Sequence, residues 1–403
     1  MKYIVQYILK LLAGKLLKKH SPKIIGITGS VGKTTTKDLI FHVLDSEKSL
    51  KVLRNVGNLN NEFGLPLTIL EEKPVKGVLN WISLVFRSIL KVLKSKEYYD
   101  VLVLEMAADG PGDLAYLTMI ARPDISVVTN VEKVHLLHFK SLDELAYEKS
   151  TLVRAVRKDG MVIVNYDNVF TRSMARIRSD ASVFNFGIDK ECDIQAKDVV
   201  NTKKGLNFKV LYKGKEVDIK MPHVIGKHNI YTVLPVFPIA EYFGLELKDI
   251  EESISTFALP PGRMNLKEGL NETFLIDSTY NAEPSSMRAA IYTLRDFPEG
   301  KRRIAVIGDM LELGPLEEIS HREIGKILKE ARIDLIFFVG ARMKWAKDEM
   351  EQGVSDFRRI SFHFNDSFEA SKEISQKVKK DDVILVKGSR AMMMERVVYR
   401  LSK

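Results

Sequence analysis

Short apolar runs alternate with stretches of helical periodicity along most of the chain. Residues 24–27 (IIGI), 101–104 (VLVL), 125–129 (ISVVT) and 161–165 (MVIVN) are runs of four or five residues with little polar interruption. Such runs suit strands buried on both faces of a parallel sheet. Between them, the segment from about Thr34 and residues 141–156 read as helices. Strands alternating with helices predict an α/β fold with a doubly wound, mostly parallel sheet. Residues 181–222 change rhythm, and their short alternating strands and Lys-Gly turns predict a small β insertion. After Leu259-Pro260-Pro261-Gly262 a second α/β pattern begins, with strands at 273–276, 304–307, 335–339 and 383–386. The chain thus divides into an N-terminal helix (1–20), a central domain (21–258) and a C-terminal α/β domain (259–403).

Two predicted helices are basic and amphipathic. In residues 2–19, Ile4, Ile8, Leu11, Leu12 and Leu16 recur at helical spacing, with Lys2, Gln6 and Lys10 on another face; Ser21-Pro22 ends the helix. Residues 78–93 lie in an insertion of about 76–96. They place Trp81 and Phe86 on the apolar side and Asn80, Ser83, Arg87, Lys91 and Lys94 on the polar side. Neither reads as a membrane span, which needs ~20 mostly apolar residues. No secretory cleavage site follows the first helix.

Composition adds a charge asymmetry. The 403 residues are 45% hydrophobic and 29% charged, which excludes wholesale disorder. Residues 1–100 hold 17 Lys and Arg against 8 Asp and Glu, whereas the other 303 residues hold 45 of each, so the whole net charge of +9 belongs to the first quarter. A phosphate ligand, an anionic membrane surface and nucleic acid are the partners such a charge suits. No nucleic-acid module is recognisable, so no nucleic-acid partner is expected. The two basic helices either pack internally or contact a membrane peripherally. The lone Cys192 excludes an intrachain disulfide and a Cys-cluster metal site, and fits a cytoplasmic protein, with the inner face of the cell membrane as a peripheral option.

The strongest local chemistry is Gly26-Ile27-Thr28-Gly29-Ser30-Val31-Gly32-Lys33-Thr34-Thr35-Thr36, set between a predicted strand and a predicted helix. Glycines let backbone amides close around phosphates, and the helix N-terminus adds positive dipole. Lys33 would reach the β- and γ-phosphates of ATP, and the Thr34 hydroxyl would ligate Mg²⁺. The strict phosphate-loop pattern has glycine where Ile27 stands. Glu105 follows a strand directly and would face the loop, where a carboxylate suits Mg²⁺. His135 and Lys149 lie fourteen residues apart. Taken alone, Lys149 reads as part of a charged, solvated helix face with Glu144 and Glu148.

These motifs, in order, resemble the Mur ligases, the ATP-dependent amide ligases of peptidoglycan assembly. The loop from Thr28 to Lys37, NLNNEFGLP (58–66), Glu105-Met106 with Pro111-Gly112-Asp113, and PDISVVTNV (123–131) with His135 carry the first half of the likeness. Gly226-Lys227-His228-Asn229, Gly262-Arg263-Met264, Tyr280-Asn281-Ala282, GDMLELG (308–314) and Lys387-Gly388-Ser389-Arg390 carry the second. The resemblance spans residues 21–403 and implies a C-terminal Rossmann-like domain. It is closest to the branch that adds D-alanyl-D-alanine to a UDP-N-acetylmuramoyl tripeptide. It implies ATP, two Mg²⁺ ions and a CO₂-derived carbamate on Lys149. By position it assigns Gly29, Ser30, Val31, Gly32, Lys33, Thr34, Thr35, Asn229, Arg263, Asp277 and Asn281 to ATP. Thr34, Glu105, His135 and carbamylated Lys149 fall to the metals, and Lys33, His135 and Lys149 to catalysis.

Two departures stand out. The family's Asp-Asp-Ser-Tyr-Asn-Ala-Asn-Pro reads Asp277-Ser278-Thr279-Tyr280-Asn281-Ala282-Glu283-Pro284 here. The family also carries a UDP-binding domain ahead of the phosphate loop, where this sequence has only residues 1–20. The expected reaction is ATP-driven amide formation through an acyl phosphate. The acid is a muramoyl tripeptide, or alternatively a different or lipid-linked acid. A non-catalytic nucleotide-binding scaffold is the reading from another class, and it predicts erosion of Thr34, Glu105, His135 and Lys149.

Overall fold

The computed structural model describes residues 2–132, 138–352 and 359–403. Two sheets organise it. The strands of the first are β1 (Lys23–Thr28), β2 (Val52–Arg54), β3 (Val101–Glu105), β4 (Ile125–Val128), β5 (Met161–Asn165), β6 (Ser182–Gly187), β7 (Ile194–Thr202), β8 (Gly205–Tyr212) and β9 (Lys215–Pro222). Their order is β2-β3-β1-β4-β5-β6-β7-β8-β9. Pairing is parallel as far as β7. β7, β8 and β9 then form an antiparallel meander that extends the same sheet.

The period of two along each strand sends side chains to opposite faces. Ile25, Ile27, Val101 and Val103 pack under helix Lys33–Asp45 and the helices of residues 230–256. Ile24, Leu102 and Leu104 face the other way. There they meet helices Lys2–His20, Gly64–Ile69, Asp113–Ile120 and Leu142–Ala155. Both faces are covered, which is why these strands read as continuous apolar runs.

The first helix ends at His20, one residue beyond the expectation. Its buried face is Leu9, Leu12, Ala13, Leu16 and Leu17, whereas Ile4 and Leu11 are exposed. Apolar residues surround most of this helix, so periodicity alone did not select the packed side. Helix Val78–Lys94 fills the expected insertion. Trp81 turns inward, its ring 6.2 Å from that of Phe63, rather than sharing the side of exposed Phe86.

The second sheet comprises β10 (Asn265–Gly269), β11 (Thr273–Ser278), β12 (Arg303–Gly308), β13 (Leu335–Val339), β14 (Ser361–Phe364) and β15 (Val383–Lys387), in the order β10-β11-β15-β12-β13-β14. Only the β10–β11 pairing is antiparallel among the described strands. Helices cover both faces. The two sheets are joined where Leu266 N–H donates to the His223 carbonyl at 2.9 Å. Burial pushes the Cys192 thiol up to about 12, so it stays protonated and unreactive.

Candidate functional site

β1 lies between β3 and β4, so the chain leaving its carboxyl end enters a crevice walled by the ends of both neighbours. Open α/β sheets bind ligands at such places. The phosphate loop occupies it. Gly32 adopts φ 85°, a left-handed conformation, and starts helix Lys33–Asp45 without a side-chain cap. The amides of the first turn are therefore left for an anionic ligand.

Neighbouring strand ends brace the loop. Ser30 and Val31 amides donate to Asn130 Oδ1 at 3.1 and 2.8 Å, and Thr129 Oγ1 donates to the Val31 carbonyl at 2.6 Å. Lys33 Nζ folds onto its own loop, donating to the carbonyls of Gly29 at 2.8 Å and Ser30 at 3.0 Å. Gly29 is irreplaceable here. Its φ is +149°, and a Cβ would stand 1.9 Å from Thr129 Oγ1. We expect Gly29→Ala to weaken ATP binding at least about tenfold by calorimetry, because the clash displaces the braced loop. Unchanged affinity would contradict this geometry.

Lys149 is not on a solvated face. It is 3% exposed, and its Nζ donates to the same Gly29 carbonyl at 3.1 Å. Two lysines thus converge on one oxygen. Burial, with Lys33 close by, lowers the Lys149 pKa to about 7, against the partial opposition of Glu148, Asp109 and Glu283. Its helix, Leu142–Ala155, is capped by Ser141 Oγ, which accepts from the Glu144 amide at 3.2 Å. Buried Glu148 accepts from the Gly112 and Leu114 amides at 2.9 and 2.7 Å, pinning this helix to the start of helix Asp113–Ile120.

Glu105 ends β3, in register with Ile27 of β1. Its backbone is clasped by Asn55, and Asn60 Nδ2 donates to its Oε1 at 3.0 Å. Its Oε2 is buried, lies 3.8 Å from Lys37 Nζ, and makes no hydrogen bond. A hard oxygen held without a donor fits a Mg²⁺ ligand. Among the described residues no three His, Cys, Asp or Glu side chains cluster as a metal cage. His135 lies outside the described residues.

The C-terminal unit carries further expected residues. Arg263 stacks its guanidinium 4.1 Å from the Tyr280 ring centre, and its Nε makes no hydrogen bond. Lys387, at the end of β15, donates to Ser278 Oγ at 3.2 Å and the Asn281 carbonyl at 2.8 Å. Burial pulls its pKa down to about 8; Glu283 opposes that shift and Arg263 adds to it. His228, from the first unit, is lowered to about 4 by burial and by Lys387. Glu283 acts electrostatically on both Lys149 and Lys387.

Other expected ATP contacts sit less openly. Asp277 receives Lys267 Nζ at 2.8 Å and Thr279 Oγ1 at 2.8 Å, so its carboxylate already holds the loop after β11. Asn229 is buried, donating to the Ile225 carbonyl at 2.7 Å, and Asn281 is exposed. Thr34 and Thr35 lie on the first turn after Lys33. Sequence reasoning gave no role of their own to Asn55, Lys37, Thr129 and Asn130, although the last three lie within motifs that carry the resemblance.

A phosphate loop at the end of a central parallel strand, with a buried lysine bonded to Gly29, is the arrangement of an ATP-using enzyme. The Mur ligase middle domain matches residues 27–240, and the Mur ligase glutamate ligase domain matches residues 262–390. The chain belongs to the Mur ligase family, whose members are ATP-dependent amide-bond ligases that use Mg²⁺. It is 30% identical over 395 residues to the UDP-N-acetylmuramoyl-tripeptide–D-alanyl-D-alanine ligase of Bacillus subtilis, covering 98% of this chain and 79% of the relative. The crystal structure of MurF from Acinetobacter baumannii superposes with TM-score 0.81 at 25% identity, covering 98% of this chain and 80% of that one. MurF from Thermotoga maritima in complex with ADP gives 0.79 at 26% identity, covering 98% and 83%.

Proposed function

We propose that this chain joins the carboxylate of a muramoyl tripeptide to the amine of D-alanyl-D-alanine, using ATP at the site of Lys33, Glu105 and Lys149. The observation that carries the reading is the convergence of Lys33 and Lys149 on the Gly29 carbonyl. It puts a phosphate-binding cation and a tunable buried amine at one end of β1. The named relatives, matched over both units, support the choice of substrates.

Amide formation from a free carboxylate is uphill in water, so the acid must be activated. A carboxylate oxygen attacks the γ-phosphorus, the bond to ADP breaks, and an acyl phosphate forms. The amine nitrogen then attacks the acyl carbon, inorganic phosphate leaves, and the nitrogen loses a proton. Lys33, swung from its loop carbonyls, binds the β- and γ-phosphates, while the loop amides hold them in line. Arg263, Asp277 and Asn281 of the C-terminal unit, with Asn229 of the first, border the nucleotide. Thr34, Glu105, His135 and the modified Lys149 would hold two Mg²⁺ ions, which would neutralise charge on the phosphates.

Lys149 is read as carbamylated. With its pKa near 7, about half of it is uncharged at neutral pH, against about one in three thousand for an ordinary lysine. The neutral nitrogen attacks CO₂ carbon, one C–O π pair moves to oxygen, and a proton leaves the nitrogen. A cation becomes an anion, which suits a metal-binding position at the phosphate loop.

Phosphate release measured with ATP, UDP-muramoyl tripeptide and D-alanyl-D-alanine tests the reading. Release should require all three and match the amide product one to one. Release that ignores both organic substrates would overturn it.

A further inference from the structure

Helix Val78–Lys94 has more apolar surface than the fold covers. Leu84 and Ser88 are buried, and Trp81, Val85 and Val92 pack beside them. At 100° per residue these five occupy a sector of about 100°. Val78, Leu79, Ile82, Phe86, Ile89 and Leu93 fill the adjoining sector of about 100° and are all exposed, Leu79 at 82% and Leu93 at 70%. A single exposed leucine is ordinary, but six large apolar side chains in one sector form a patch that marks an interaction site.

The neighbouring helix extends it. Lys19 Nζ donates to the carbonyls of Val92 at 3.0 Å and Leu93 at 3.2 Å, tying helix Lys2–His20 to the end of helix Val78–Lys94. Ile4, Tyr7 and Leu11, at positions i, i+3 and i+7, are exposed on the side away from buried Leu9 and Leu16.

The charge around these faces is of one sign. Helix Lys2–His20 contains five lysines and no acid. Residues 73–96 contain six basic residues and no acid. Arg87 and Lys91 pair with Glu72 and Glu71, whereas Lys73, Lys76, Lys94 and Lys96 make no ion pair among the described residues. A second copy of this chain on the patch would bring lysine against lysine. A surface that takes apolar side chains and bears negative charge satisfies both features.

We propose that the outward face of helix Val78–Lys94, with the exposed edge of helix Lys2–His20, docks on an anionic phospholipid bilayer. The apolar sector enters the acyl boundary while the lysines meet the headgroups. Neither helix crosses: among the described residues no helix is long and apolar enough to span a membrane. The proposal goes beyond the ligase reading and holds whichever acid the site accepts.

The test is co-sedimentation of the full chain with phosphatidylglycerol–phosphatidylcholine vesicles and with phosphatidylcholine vesicles alone. Binding is expected on the first, at least tenfold weaker on the second, and weakened by salt. Leu79→Ser, Ile82→Ser and Phe86→Ser combined should reduce binding at least tenfold with the melting temperature held, since all three side chains are largely exposed. Replacing Lys73, Lys76, Lys94 and Lys96 by Gln should reduce it as well. No binding to anionic vesicles at low salt overturns the proposal, and so does binding the serine variant retains, which would be charge alone. A dimer in sedimentation velocity that the serine variant abolishes, without vesicle binding, assigns the face to a second copy and equally overturns it.

Discussion

Lys33→Ala lowers ligation by about a thousandfold or more while leaving the melting temperature nearly unchanged. The Lys33 ammonium bonds the Gly29 and Ser30 carbonyls of its own loop, and the side chain lies outside the buried apolar core, so its loss costs little stability. What it removes is a positive charge beside the transferring phosphoryl group, where charge builds in the transition state. Such preorganised electrostatic contacts are commonly worth 10²–10³ or more in rate. Steady-state phosphate release with all substrates present measures the loss. Turnover within tenfold of the parent would remove the loop from the chemistry.

Lys149→Ala carries the second large effect, a loss of about a hundredfold or more that short carboxylates partly restore. Formate or acetate fits the space left by the side chain and replaces the missing anion. A merely structural role for Lys149 would give a loss without rescue. The parent enzyme should respond to pH in a matching way. Lys149 titrates near 7, so acidification protonates the amine, stops its attack on CO₂, and lowers activity. Added bicarbonate should recover part of that activity below pH 7, and removal of CO₂ should depress it. Neither response is expected of Lys149→Ala. Activity indifferent to CO₂ and to rescue anions would leave Lys149 unmodified.

The phosphate loop was legible because its evidence is local. A buried run, glycines at fixed offsets and a helix start lie within a dozen residues, and each has its own physical cause. The doubly wound sheet was legible for the same reason, since a strand buried on both faces needs an unbroken apolar run. Strands without that signature escaped: β2 has three residues, and β10 is a polar antiparallel edge. Lys149 and Glu148 escaped differently. Two adjacent charges on a helix read as solvated, and only the tertiary fold buries both. Lys387 and His228 lie in motifs that carry the resemblance, and Glu283 in a departure from it, but the burial and charge that lower the lysine and the imidazole are set by the tertiary fold. The resemblance to Mur ligases carried Lys149 into the site ahead of the structure. It did not foresee Glu148 as the anchor beside it. For the basic helices, a hydrophobic pattern broader than one face could not say which side packs, and the fold answers that part of each apolar surface does.

The most direct test of the central claim follows oxygen. The muramoyl tripeptide is prepared with ¹⁸O in the reacting carboxylate and turned over with ATP and D-alanyl-D-alanine, and the inorganic phosphate is analysed by mass. Ligation through an acyl phosphate transfers one labelled oxygen to each phosphate released, because the oxygen that attacks phosphorus later departs with it. Unlabelled phosphate alongside amide product would contradict acyl-phosphate activation at the Lys33–Lys149 site.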